Sequence, residues 1–154
     1  AGLVAYRLGA AETWLTDFQQ SVLERAQRNI EANAPPEDVK AGRLKTMLLS
    51  WGAGDTADDL GKPDGIDVLL GADVLYSAIA WRALALTAKD LLSDDGVMII
   101  STTGHSNGLS APAEIEGFRT VVESIGGLRV KRVETLQGDY PRLQGYDAQV
   151  ITVE

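Results

Sequence analysis

The sequence predicts an α/β fold over residues 1–154: a mostly parallel sheet with helices packed on it, ending in an antiparallel hairpin. Three observations predict it. Short apolar runs alternate with longer stretches whose apolar residues recur every three or four positions, the alternation of strand and helix in parallel sheets. Two of the runs, 66–71 and 97–101, are apolar on both faces, as centrally placed parallel strands are. The last two runs, 128–135 and 148–154, have no helical stretch between them and read as a hairpin.

Each element has its own reason. In residues 1–10, Leu3, Val4 and Leu8 share one helical face and Gly9 offers a C-terminal stop. Thr-Trp-Leu-Thr at 13–16 is a β-type run that ends on Asp17. Val22, Ala26 and Ile30, with Leu23 beside them, predict an amphipathic helix over 21–33. Ser21 and Glu24 have the spacing of a capping box, and Pro35-Pro36 ends the helix. A second apolar run, 44–49, leads into Ser50-Trp51-Gly52, and the Gly- and Asp-rich stretch 54–65 reads as a loop. After the strand at 66–71, Leu84, Ala88 and Leu91 mark a helix over 78–92. Asp94-Asp95-Gly96 reads as a turn, 97–101 as a strand and 102–112 as a polar loop. Ile115, Phe118, Val122 and Ile125 predict a helix over 113–125, stopped by Gly126-Gly127. The loop 137–145 holds two candidate contact residues, Tyr140 and Arg142.

Totals narrow the function. A chain of 154 residues suffices for one domain with a real core. A net charge of −8 argues against general nucleic-acid binding and against an anionic membrane surface, and is compatible with a basic partner. Without cysteine there is neither a disulfide framework nor a thiolate metal site. No stretch is long and apolar enough to span a bilayer and no signal peptide is visible, so with no cysteine a cytoplasmic location is expected; a monomer is the expectation for assembly. His105, the only histidine, has no partner at metal-ligand spacing, and no metal is expected. Ser110 lacks a histidine and acid set, Asp58-Asp59 and Asp94-Asp95 read as solvated turn acids, and Lys131-Arg132 is too small a basic patch for nucleic acid.

The informative stretch is 66–76, Ile-Asp-Val-Leu-Leu-Gly-Ala-Asp-Val-Leu-Tyr. Ligands of open α/β sheets bind outside the carboxyl ends of the strands. Gly71 and Ala72 would let a ligand approach the backbone there, and Asp73 would place a charge beside it.

These residues, taken with Gly-Leu-Val at 2–4, Leu-Thr-Asp17, Gln-Arg-Asn-Ile-Glu-Ala-Asn at 27–33 and Leu-Ser-Trp51-Gly, resemble the seven-β-strand S-adenosylmethionine-dependent methyltransferases. Within these they are similar to the branch of protein-lysine methyltransferases that modify chaperones, elongation factors and calmodulin. The resemblance covers almost the whole chain, and its most specific part is Asp-x-x-Tyr after the central strand. It implies a Rossmann-like methyltransferase sheet, S-adenosyl-L-methionine as cofactor and a lysine-bearing protein as substrate. By the same resemblance Asp17 accepts hydrogen bonds from the ribose hydroxyls, Trp51 lies against the adenine, and Ala72 meets the cofactor by its backbone. Asp73 and Tyr76 line the methyl-transfer channel. Asp17 could instead cap the helix from Gln19 onward, Trp51 could be a half-buried core residue, and Tyr76 could pack on the sheet.

The chain departs from that family in one respect. The family's first strand carries Glu-Leu-Gly-x-Gly-x-Gly, and here only Gly2 matches, as the last glycine of that loop. The expectation is an N-terminally truncated, partial methyltransferase domain whose first, central strand is missing and which alone could be inactive. Other readings are a small-molecule N-methyltransferase, a non-catalytic methyltransferase-like interaction domain, and a dehydrogenase-like nucleotide-binding half. The Asp73-x-x-Tyr76 pair argues against the last, because hydride transfer has no need of it.

Overall fold

In the computed structural model, which describes residues 1–103, 110–136 and 148–154, the chain divides into two units, Ala1–Ser50 and Trp51–Glu154. His105, Tyr140 and Arg142 lie outside the described residues.

The first unit holds α1 (Gly2–Arg7), β1 (Thr13–Asp17), α2 (Gln20–Asn33), α3 (Pro36–Lys40) and β2 (Leu44–Leu48). β1 and β2 are parallel, in register from Thr13 opposite Leu44 to Asp17 opposite Leu48. Tyr6, Ile30, Ala34 and Leu44 form the core, with Leu3, Leu15 and Val39 against them. Ile30 and Leu44 have no exposed surface, which is worth about 1.5–3 kcal/mol each relative to leaving them in water. The hydrophobic stripe of α2 is narrower than expected: Leu23 and Ile30 are buried, but Val22 is 37% exposed. The expected capping box is not formed. Gln19 is the N-cap and makes no side-chain cap bond, while Ser21 lies inside the helix. Pro36, whose missing N–H is tolerated in a first turn, starts α3 as well as ending α2. Beneath α3, the Tyr6 hydroxyl donates to Asp38, and Arg43 pairs with Asp38 at 3.1 Å while lying 5.6 Å from the Tyr6 ring centroid.

The second unit holds β3 (Ile66–Ala72), a 3₁₀ turn (Ala78–Ala80), α4 (Trp81–Leu91), β4 (Leu92–Thr102), α5 (Ala111–Ile125), β5 (Val130–Leu136) and β6 (Ala148–Val153). Its strands run in the order β3-β4-β6-β5. β3 and β4 are parallel; β6 pairs antiparallel with both β4 and β5, so the expected C-terminal hairpin is present with β6 inserted beside β4. Trp81, Leu84, Ala85 and Ala88 of α4 and Ile115, Phe118 and Val122 of α5 meet Met98, Ile100, Ile151 and Val153 of the sheet in one core. Lys131 and Arg132 are both engaged by acids, Lys131 with Glu154 at 2.5 Å and Arg132 with Glu134 at 2.6 Å.

Two expectations for this unit are corrected. β3 is not apolar-covered on both faces. Leu69 packs on the core, but Val68 and Leu70, which point to the opposite face, stay 48% and 44% exposed. Within the described residues of this unit, the core packs on the Leu69 face. The Asp94-Asp95-Gly96 turn is also absorbed into β4. Ile66 sits opposite Leu92 but Val68 opposite Val97, so residues 93–96 form a bulge within the strand. Gly65 and Gly96 permit it. Gly65 has φ +83, and a Cβ there would lie 2.4 Å from Ser93 N and Cα; one on Gly96 would lie 2.7 Å from the Ile66 carbonyl oxygen.

β1 has β2 as its one strand partner among the described residues, and β3 has β4. No helix of the described residues is long and apolar enough to cross a membrane.

Candidate active site

The carboxyl end of β3 is built by a tightly held turn. Asp73 has φ 57, the only positive φ of a non-glycine among the described residues. Asp tolerates that region better than most residues because its short polar side chain can bond locally. The turn is fixed from β4, where the Ser101 carbonyl accepts the Asp73 N–H at 2.7 Å. The chain then doubles back so that Val74 fills the space above Gly71, where a Cβ would lie 2.6 Å from Val74 Cγ2. The small residue at 71 therefore serves the turn itself. Ala72 beside it is exposed.

Leu75 anchors the segment. It has no exposed surface, and its carbonyl accepts the Trp81 indole N–H at 2.9 Å. Trp81 in turn lies so close to α5 that a Cβ on Gly117 would stand 2.4 Å from its ring. Between these fixed points Asp73 is exposed and Tyr76 is 57% exposed. Tyr76 is thus not held against the sheet. The result is an acid and an aromatic presented to solvent on a backbone that hydrogen bonds and packing hold still.

Trp51 is half-buried against the same core. Its position is set by the next residue: Gly52, at φ +75, donates its N–H to Thr87 Oγ1 of α4 at 2.8 Å. One part of the indole packs while another remains accessible.

Gly2 and Asp17 belong to the first unit. Gly2 is the first residue of α1, and a Cβ there would lie 2.9 Å from Leu15 Cδ1, so it lets α1 close onto β1. Asp17 ends β1, half-buried. Its Oδ1 accepts the Gln19 N–H at 2.8 Å, and its carbonyl accepts the Leu49 N–H at 3.0 Å. Asp17 is thus not the N-cap of α2, which is Gln19; with one carboxylate oxygen it closes a local turn ahead of the helix. Trp51, Ala72, Asp73 and Tyr76 belong to the second unit, and the last three share one turn.

Three residues with a part in this site carried no sequence expectation. Thr87 holds the backbone after Trp51. Trp81 holds the backbone before Tyr76. Glu114, fully buried in the first turn of α5, accepts the Thr102 hydroxyl at 2.6 Å at the end of β4. Glu114 had a visible signal: it stands four residues before Phe118 and eight before Val122, on the buried stripe of the helix. Among the described residues no group of three or more His, Cys, Asp and Glu could hold a metal ion.

Comparison with known proteins gives this arrangement a family. A family model described as lysine methyltransferase matches residues 1–109. Protein N-lysine methyltransferase METTL21A of Danio rerio is 36% identical over 100 residues, which span 65% of this chain and 43% of that protein. EEF1A lysine methyltransferase 3 of Mus musculus is 32% identical over 101 residues, 66% of this chain and 39% of that protein. The chain thus spans less than half the length of these relatives. Among solved structures, the PH0226 protein from Pyrococcus horikoshii OT3 aligns with TM-score 0.65 at 9% identity, covering 99% of this chain and 77% of that one. N-methyltransferase NodS from Bradyrhizobium japonicum WM9, crystallised with S-adenosyl-L-homocysteine, aligns with TM-score 0.63 at 14% identity, covering 99% and 71%. These likenesses show the fold, a Rossmann-like methyltransferase sheet. With the family model matching well over half of its residues, the chain belongs to the lysine methyltransferase family.

Proposed function

We propose that the protein carrying this chain transfers a methyl group from S-adenosyl-L-methionine to the side-chain amine of a lysine in a protein substrate. The observation that carries this reading is the Asp73–Tyr76 turn: a carboxylate and an aromatic ring, both exposed, on a pinned backbone at the carboxyl end of a parallel strand. The family match and the names of the relatives support it.

Taken unit by unit, the residues have chemistry that suits the cofactor. A carboxylate offers about four lone-pair sites, and the Gln19 N–H at 2.8 Å takes one of those on Asp17. Capacity remains for the two ribose hydroxyls. The accessible part of Trp51 suits the flat adenine, and stacking there would add about 0.5–1.5 kcal/mol beyond area burial. Ala72 offers backbone without bulk, and Gly2 is, by the family resemblance, the last glycine of the loop whose backbone would cradle the methionine part. S-adenosylmethionine, when bound, supplies a methyl group already activated by its positive sulfonium sulfur. The chain's own groups then have a positioning task. Asp73 attracts and holds the ammonium form of the incoming lysine, and Tyr76 walls it by cation–π contact. The ammonium gives its proton to solvent water before the neutral amine attacks, so no strong base of the chain is required, and holding the amine in line with the methyl group supplies most of the catalysis. The net charge of −8 favours the approach of a basic substrate.

The test is calorimetric titration of S-adenosylhomocysteine into the chain and into a form extended upstream, each with Asp17→Ala and Trp51→Ala. Binding that both substitutions abolish supports the reading. Labelled cofactor added to a cell lysate should then mark a protein band; label found only in the small-molecule filtrate would move the acceptor to a small amine. No binding by either form would overturn the enzyme reading in favour of a non-catalytic interaction domain.

A further inference from the structure

Glu114 is the one acidic or basic side chain among the described residues that is fully buried. A buried carboxyl is costly, and an apolar side chain of similar size would fill the space without that cost. Its place in the first turn of α5, where its N–H bonds to the Ser110 carbonyl at 3.0 Å, favours an acid electrostatically. An exposed acid would give the same benefit, so the helix terminus does not account for the burial. Burial adds a fixed point. The Oε2 atom accepts the hydroxyl of Thr102, itself 2% exposed, at 2.6 Å. Thr102 is the last residue of β4. The residue before it, Ser101, supplies the carbonyl that receives the Asp73 N–H at 2.7 Å. That bond holds the turn in which Asp73 adopts φ 57.

We infer that Glu114 is a positioning residue for the acceptor site: through Thr102 it fixes the end of β4, and through the Ser101 carbonyl it fixes the left-handed turn that presents Asp73. Its consequence for catalysis rests on the lysine-methylation reading; its consequence for geometry does not.

The experiment measures amide hydrogen exchange in the whole protein for wild type, Glu114→Ala, Glu114→Gln, Thr102→Val and Thr102→Ser. Val122→Ala is the control, a buried change on the same helix outside the relay. In Glu114→Ala and Thr102→Val the Asp73 amide should exchange about tenfold faster or more, measured against amides of the β4–β6 ladder. Glu114→Gln and Thr102→Ser, which keep an acceptor and a hydroxyl, should restore its protection. Val122→Ala should accelerate Asp73 and the ladder alike. Methylation of lysine peptides should show kcat reduced about tenfold in Glu114→Ala with unchanged affinity for S-adenosylhomocysteine. If Asp73 follows the ladder in Glu114→Ala, as in the control, Glu114 only supports the fold and the inference is wrong. If Glu114→Ala does not fold, the Thr102 pair decides: equal protection with Val and Ser refutes the relay. If the exchange pattern holds but wild type methylates no lysine peptide, the relay stands and the lysine reading falls.

Discussion

Replacing Trp81 by Phe removes one hydrogen-bond donor and one ring from the wall behind the Asp73–Tyr76 turn. The lost donor leaves the buried Leu75 carbonyl without the indole N–H that lay 2.9 Å from it. An unsatisfied buried acceptor costs about 1–3 kcal/mol. Removing roughly 40 Å³ of side chain from a close-packed site at about 24 cal/mol per Å³ adds about 1 kcal/mol. The expected destabilisation is therefore about 2–4 kcal/mol. With a urea slope of about 2 kcal/mol per M, the midpoint should fall by roughly 1–2 M at unchanged slope, followed by far-UV circular dichroism. Gly117→Ala probes the same wall from the other side. Its Cβ would stand 2.4 Å from Trp81 Cζ3 and 2.8 Å from Cη2, an overpacking worth about 1–3 kcal/mol. In the Trp81→Phe background the ring atoms it would strike are gone, so Gly117→Ala should cost much less there. A double-mutant cycle reads this directly. Costs that add to within about 0.5 kcal/mol would show that the two residues do not press on each other, and would refute the packing argument.

Other outcomes follow from single features. Asp73→Gly suits the φ of 57 and should leave stability within about 1 kcal/mol of wild type while reducing methyl transfer on the order of a hundredfold, read by thermal melting beside a labelled-methyl assay. Gly65→Ala adds a side chain where φ is +83 and Ser93 N is 2.4 Å away; it should cost about 2–4 kcal/mol in denaturant unfolding. The hydrogen bond donated by Tyr6, aided by Arg43, holds the Asp38 carboxyl below its usual range, and the same bond raises the Tyr6 phenol above its own. The depressed carboxyl contributes stability that is complete above its unfolded value of 3.8 and is lost as pH falls through the lower folded value. Asp38→Asn should therefore be less stable than wild type at neutral pH, with the difference closing in strong acid. A difference that stays constant down to pH ~2 would contradict the linkage.

The helix stripes were the most legible part of the sequence. Ile115, Phe118 and Val122 recur at helical spacing because they face one core, and all three are buried there. The Asp-x-x-Tyr turn was also legible, since the change from apolar run to Gly-Ala-Asp marks a strand end. What the sequence hid was cover and close contact. An apolar run such as that holding Val68 and Leu70 looks the same whether one face of its sheet is packed or two. The packing need for Gly71 was hidden, because nothing local reveals that Val74 folds back onto it. Thr87 and Trp81 act through bonds to residues 35 and six positions away, and a threonine or tryptophan inside a helical stripe carries no mark of such a partner. Asp17 stayed ambiguous for a physical reason: one carboxylate can finish a turn and still bind a ligand.

The bulge at residues 93–96 bears on how this sheet can vary in evolution. Below it, Ile66 faces Leu92; above it, pairing runs without a break from Val68 and Val97 to Ala72 and Ser101. A residue gained or lost at Asp94–Asp95, the exposed part of the bulge between the close contacts of Ser93 and Gly96, can be taken up there. The same change made beyond Val97 would turn Met98 and Ile100 away from the core and shift the carbonyl that meets Asp73. Length drift at the exposed tip of the bulge is thereby insulated from the chemistry at the far end of the strand, so insertions tolerated by related chains should gather before Val97 and be rare after it.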